Sequence, residues 1–288
     1  MMPSPNSPIL VLDSGLGGLT VAAAIRKALP NEDIVYFGDT ARVPYGSKSR
    51  ETVTQFMQEM IRYLQPHRPK HVVIACNTAT ALSLPALKAA FRHLPISGVI
   101  EPGSRAAAEA AGIKQSPTIA VIATQATVDS RAYERAIYRR RHLAQLFVNA
   151  TPMLVPIIED GRHERDPLVR VALTQYLKPL IEKNPDVLVL GCTHYPVFKR
   201  TIAKIMGGAC RVIDSAEQCA QDVVHTLAAN GMANCGRSTG QLRCFVTDDP
   251  AKFQRLAKRF VGCEIDLPTW VSTEDLAAGP MPVAIVAA

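Results

Sequence analysis

At 288 residues and 48% hydrophobic composition, the chain is long enough to bury a full core and to divide into two domains. A formal net charge of +7 suits an acidic substrate without marking a nucleic-acid binder, and no apolar run, residues 282–288 included, reaches membrane-spanning length. The first eight residues lack the basic and apolar regions of a signal peptide, so a cytoplasmic protein is expected.

Residues 9–12 read as a buried strand, and Asp13-Ser14-Gly15-Leu16-Gly17-Gly18 as a tight turn into a helix that stops at Pro30. A second strand at 34–37 ends in Gly38-Asp39, and the loop Val43-Pro44-Tyr45-Gly46 leads into an amphipathic helix. The strand at 71–75 runs into Cys76 and then a helix interrupted at Pro85. A second series opens at 96–100 and has a strand at 118–123, followed by a long basic helix from about 130 to 147. Arg139-Arg140-Arg141-His142 on that helix reads as a solvated face, not a polyanion patch. Asp166-Pro167 has the form of an N-cap with proline in the first turn, starting a helix that ends before Pro185. Strands at 187–190, 211–213 and 242–246 follow, with helices from Ser215 and Asp249-Pro250, and the tail beyond about 273 is unassigned. This alternation predicts an α/β fold of two pseudo-symmetric, doubly wound domains with mainly parallel sheets and a site in the cleft between them. The first domain is expected to take 1–97 plus 207–288, and the second 98–206.

The seven cysteines are scattered and form no Cys-x-x-Cys pair, which argues against a zinc ribbon, a thioredoxin-type site or a disulfide framework. Two of them stand out. Cys76 and Cys192 each follow an apolar strand, where ligands bind in open α/β sheets, and each has polar neighbours: Asn77-Thr78 in one case, Thr193-His194 in the other. A following helix N-terminus favours a thiolate, and His194 is placed to act as an acid beside its cysteine. Disulfide exchange lacks its motif, and acyl transfer needs only one nucleophile. Two thiols of ordinary pKa near ~8.5 suit removal of a proton from one face of a carbon and its return to the other, which is racemisation without pyridoxal phosphate. Two other classes remain open at this point: a dinucleotide-dependent oxidoreductase built on the glycine turn, and a nucleic-acid or partner-binding module. The dinucleotide reading is weakened by Thr20 at the place of the third glycine and by the carboxylate of Asp13, which repels a pyrophosphate.

Several stretches together resemble the glutamate racemases of the cofactor-independent aspartate/glutamate racemase superfamily. They are Asp13 to Val21, Tyr36-Phe37-Gly38-Asp39, Val43-Pro44-Tyr45-Gly46, Ala75-Cys76-Asn77-Thr78-Ala79, Val155-Pro156-Ile157-Ile158-Glu159-Asp160-Gly161, Gly191-Cys192-Thr193-His194-Tyr195-Pro196 and Asp214-Ser215-Ala216. The resemblance implies interconversion of L- and D-glutamate without a cofactor, supply of the D-isomer to peptidoglycan, and a homodimer that binds neither membrane nor nucleic acid. It implies that Cys76 deprotonates D-glutamate with help from Asp13, and that Cys192 deprotonates L-glutamate with help from His194 and Glu159. Ser14, Asn77, Thr78 and Thr193 would hold the ammonium and α-carboxylate, and Pro44, Tyr45 and Gly46, with Thr127, the side-chain carboxylate; Asp13 and His194 also contact substrate in this scheme. The nearest rival within it is a racemase of another amino acid such as aspartate. Gln125-Ala126 departs from members with a glycine before the second threonine. Gly98-Val99-Ile100-Glu101-Pro102 departs from members whose equivalent stretch is linked to activation by a cell-wall precursor, so that regulation is not expected here.

Overall fold

Ile9, Leu10, Val11 and Leu12 have no exposed surface, the state of a strand covered by helices on both faces. In the computed structural model, which describes residues 3–280, this strand opens a regular alternation. The first run is β1 (Ile9–Asp13), α1 (Leu19–Ala28), β2 (Ile34–Gly38), α2 (Arg50–Leu64), β3 (His71–Ile74), α3 (Asn77–Ala90), β4 (Ile96–Gly98) and α4 (Ile100–Ala110). The second is β5 (Thr118–Ala123), α5 (Gln125–Asp129), α6 (Ala132–Tyr138), β6 (Gln145–Ala150), α7 (Leu154–Glu159), α8 (Pro167–Ile181), β7 (Val187–Gly191), α9 (Lys199–Met206) and β8 (Arg211–Ile213). The chain closes with α10 (Ala216–Ala229), β9 (Leu242–Val246), α11 (Pro250–Val261), β10 (Thr269–Trp270) and α12 (Thr273–Ala278).

The strands form two sheets, six in the order β10-β9-β2-β1-β3-β4 and four in the order β6-β5-β7-β8. Every strand pairing in both sheets is parallel. Within each half the core strands follow the same order: β2-β1-β3-β4 matches β6-β5-β7-β8, strand for strand. The strand order reverses beside β1 in one sheet and beside β5 in the other, and such switch points open a crevice at the strands' C-terminal ends. Cys76 follows β3 and Cys192 follows β7, the third strand of each set. The echo between the two cysteine stretches is therefore an echo of topology.

Three expectations are corrected. The long helix expected at 130–147 ends as α6 at Tyr138, and Gln145–Ala150 forms β6, in parallel register with β5 from Thr118↔Gln145 to Ala123↔Ala150. The arginine run forms the turn between them, with the backbone N–H of Arg141 bonded to the carbonyl of Ile137 and that of Ala144 to Arg141. Pro85 does not interrupt α3, which runs on to Ala90 with Pro85 on its exposed side. The strand expected at 96–100 stops at Gly98, and Ile100 already starts α4. In the second sheet β8 pairs with β7 from Val187↔Arg211 to Val189↔Ile213. The N-caps at Asp166 and Asp249 are as expected, their side chains accepting from the N–H groups of Leu168 and Lys252. Residues 282–288 lie outside the described residues. Among the described residues no helix is long and apolar enough to cross a membrane.

Candidate active site

The segments after β1, β2 and β3 face those after β5, β6 and β7 across a small cavity of about 20 Å³. Ser14, Pro44, Tyr45, Gly46, Cys76, Asn77 and Thr78 line it from the first half. Thr124, Glu159, Cys192, Thr193 and His194 line it from the second, with Val43 and Val155 as apolar walls. Both thiols thus reach one cavity from opposite halves.

Cys76 is the residue before α3, and its Sγ accepts the N–H of Ala79 at 3.4 Å, so the first turn of the helix points at the sulfur. Burial pushes the thiol up to about 12, with the charge of Asp13 adding to the rise and the Ala79 N–H opposing it. Asp13 is fully buried and does not line the cavity; it stands behind the glycine turn, its Oδ2 accepting from the Gly15 N–H at 3.0 Å. Its Oδ1 has no hydrogen-bond partner among the described residues. Burial raises this carboxyl too, against the pull of His194 and of the Gly18 and Gly15 N–H groups. A carboxyl raised by burial beside a thiol raised by burial is suited to exchanging a proton with it.

On the other side, the Sγ of Cys192 lies 3.8 Å from Nδ1 of His194, whose Nε2 is 2.9 Å from Oε1 of Glu159. Burial works to lower the pKa of the imidazole, but its bonds to Cys192 and Glu159 outweigh burial and hold it well above the ordinary histidine range. The imidazole beside Cys192 is thus biased toward its protonated form, with Glu159 bonded to its far nitrogen. Removing the carboxylate in Glu159→Gln removes one of the supports, so the pKa of His194 is expected to fall. NMR titration of the imidazole checks this; a value unchanged from wild type would show that Glu159 does not hold the proton there.

Tyr45 faces the cavity but its hydroxyl does not, since the O–H donates to the buried carboxylate of Asp39, which also accepts from Arg42 Nε at 2.7 Å and Thr247 Oγ1 at 2.9 Å. What this loop can offer a ligand is main chain. Gly46 is required there because a Cβ would lie 2.8 Å from the Cβ of Thr124. Thr78, Thr124 and Thr127 form a triangle of hydroxyls across the halves, at 2.8 Å (Thr78–Thr124), 3.2 Å (Thr78–Thr127) and 3.0 Å (Thr124–Thr127). Thr127, expected in the site, supports it from behind, and Thr124, overlooked in the sequence, is the one that lines it. The signal was present: Thr124 follows β5 as Ser14 follows β1. Tyr133 was overlooked as well; its O–H donates to Oδ1 of Asn77 at 2.7 Å. The glycine turn has an interdomain role, because a Cβ at Gly17 would lie 2.4 Å from both Thr193 Oγ1 and His194 Nδ1. That contact leaves no room over the turn for a pyrophosphate.

The profile described as Asp/Glu/Hydantoin racemase matches residues 16–223. The glutamate racemase of Geobacter metallireducens is 43% identical over 270 residues, covering 94% of this chain and 98% of that one. The glutamate racemase of Chlorobaculum tepidum is 41% identical over 262 residues, covering 91% and 95%. Among solved structures, glutamate racemase from Francisella tularensis in complex with D-glutamate superposes with a TM-score of 0.85 at 35% identity, covering 93% of this chain and 98% of that one.

Proposed function

The chain belongs to the Asp/Glu/hydantoin racemase family and racemises glutamate, and from that premise we propose that Cys76 and Cys192 are its two acid–base groups, one for each face of the α-carbon. One observation carries this reading: thiols at equivalent strand ends of two like sheets line the same cavity from opposite halves.

With L-glutamate bound, Cys192 as thiolate takes the α-proton, and the Cys76 thiol gives its own proton to the opposite face. The product is D-glutamate, with Cys192 now the thiol and Cys76 the thiolate; the reverse turnover restores the first state. The raised pKa of Cys76 suits the donor in this direction. In the other direction Cys76 must first lose its proton, for which Asp13 is the proposed acceptor. His194 steadies charge on Cys192, and Glu159 orients His194. The substrate ammonium and the N–H and O–H donors of Ser14, Asn77, Thr78 and Thr193 offset the negative charge that develops at the α-carbon. Backbone N–H groups of Tyr45 and Gly46, with Pro44 shaping the loop, and the hydroxyl of Thr124 are the proposed receptors of the side-chain carboxylate. The cavity is too small for an amino acid as it stands, so the halves part to admit substrate and close to exclude water. The proposed unit boundaries follow the sheets, the second unit running from the end of β4 through β8 and the rest forming the first.

The proposed setting is a cytoplasmic homodimer supplying D-glutamate for peptidoglycan. Incubation of the purified protein with L-glutamate and no added cofactor is expected to take the circular dichroism of the substrate to zero, while L-aspartate keeps its signal. A constant glutamate signal from folded protein would overturn the reading.

A further inference from the structure

Asn77 carries both a fixed acceptor and an unpaired donor. Its Oδ1 accepts the Tyr133 O–H at 2.7 Å, whereas its buried Nδ2 has no hydrogen-bond partner among the described residues. Asn77 is 2% exposed, lines the cavity and adjoins Cys76. Tyr133 is also 2% exposed, and its hydroxyl makes no other hydrogen bond among the described residues. A buried phenol needs an acceptor for its proton, and a buried amide N–H left unmade is costly. The phenol therefore sets which way round the amide stands: flipping it would place an N–H against an O–H and strand the phenol proton.

Tyr133 is held in place from two sides. A Cβ on Gly191 would come within 3.0 Å of its Cε2, and a Cβ on Gly103 within 3.3 Å of its hydroxyl, so both glycines make room for the ring. It sits on α6 of the second half, while Asn77 opens α3 of the first. The bond between them exists only when the halves are docked.

We propose that Tyr133 is a positioning residue for the racemase reaction: by accepting its proton, Asn77 is locked with Nδ2 toward the substrate, as a donor to a carboxylate oxygen. The inference rests on the proposed role of Asn77 in binding glutamate. It adds a group outside the cavity wall that decides the sign of the hydrogen bond offered there. Docking of the halves and readiness of the amide become one event, since the open form leaves the amide free to turn.

The test is steady-state racemisation by Tyr133→Phe, by Asn77→Ala and by the double variant, with thermal melts to confirm folding. Tyr133→Phe is expected to raise KM about tenfold in both directions with kcat changed much less, the cost of one directed hydrogen bond. Because L- and D-glutamate have equal free energies, kcat/KM must fall by the same factor in each direction. In the Asn77→Ala background the same Tyr133→Phe change is expected to have no further effect on KM. Equal effects of Tyr133→Phe in both backgrounds, or an unchanged KM in the single variant, would overturn the proposal while leaving the two-thiol reading intact. An unchanged KM in Asn77→Ala would instead overturn the role of Asn77 itself.

Discussion

Cys76→Ser and Cys192→Ser are each expected to lose about 10²–10⁴-fold in racemisation, the range supplied by one positioned acid–base group. Serine keeps the size of the side chain and its ability to accept the Ala79 N–H at position 76, so the fold is retained while the proton carrier is lost. The residual chemistry separates the two thiols. With Cys76 replaced, Cys192 still takes the α-proton of L-glutamate and, after exchange with D₂O, returns deuterium to the same face. L-Glutamate then loses its Cα proton signal without inversion, and D-glutamate does not. Cys192→Ser shows the mirror pattern. Retained racemisation in either variant, or exchange of both enantiomers by both variants, would contradict the assignment of one thiol to one face.

Gly17→Ala is expected to cut kcat about 10²-fold in a folded protein, though Gly17 bears no functional group. Its backbone does not occupy the positive-φ region, so alanine meets no conformational strain there. The difficulty is space. The added methyl would sit 2.4 Å from Thr193 Oγ1 and His194 Nδ1 and 2.8 Å from His194 Cε1, and ordinary contact needs about 1 Å more. His194 is pinned between Cys192 and Glu159, so it can yield only by loosening one of those contacts. A shift of that size beside an acid–base group is what catalysis tolerates least. Gly208→Ala, where no atom lies within 4 Å of the new methyl, is the control and is expected to be neutral. Equal activity of Gly17→Ala and wild type would show that the turn does not set the position of His194.

Most buried strands were legible because both faces are covered, which writes them as short apolar runs; 118–123 and 242–246 match β5 and β9 residue for residue. β6 was not, because it is an edge strand of half-exposed residues that follows an arginine run continuing the helical pattern of α6. The cysteines were legible as a pair because they end equivalent strands of a repeated topology. The side chains that hold their proposed neighbours in place lie far off in the sequence. Glu159 reaches His194 from 35 positions away within the second half, and Tyr133 reaches Asn77 from 56 positions away across the halves, a contact that exists only once they dock. Gly17 shows the same limit. Locally it belongs to a tight turn, and the reason it must be glycine lies across the cleft in Thr193 and His194.

The most direct test of the two-thiol account is the isotope content of each enantiomer early in the conversion of L-glutamate by wild-type protein in D₂O. Two groups on opposite faces predict that newly formed D-glutamate carries deuterium at Cα while unreacted L-glutamate keeps its proton. A single group serving both faces would carry the original proton into D-glutamate, and early product rich in protium would contradict the account.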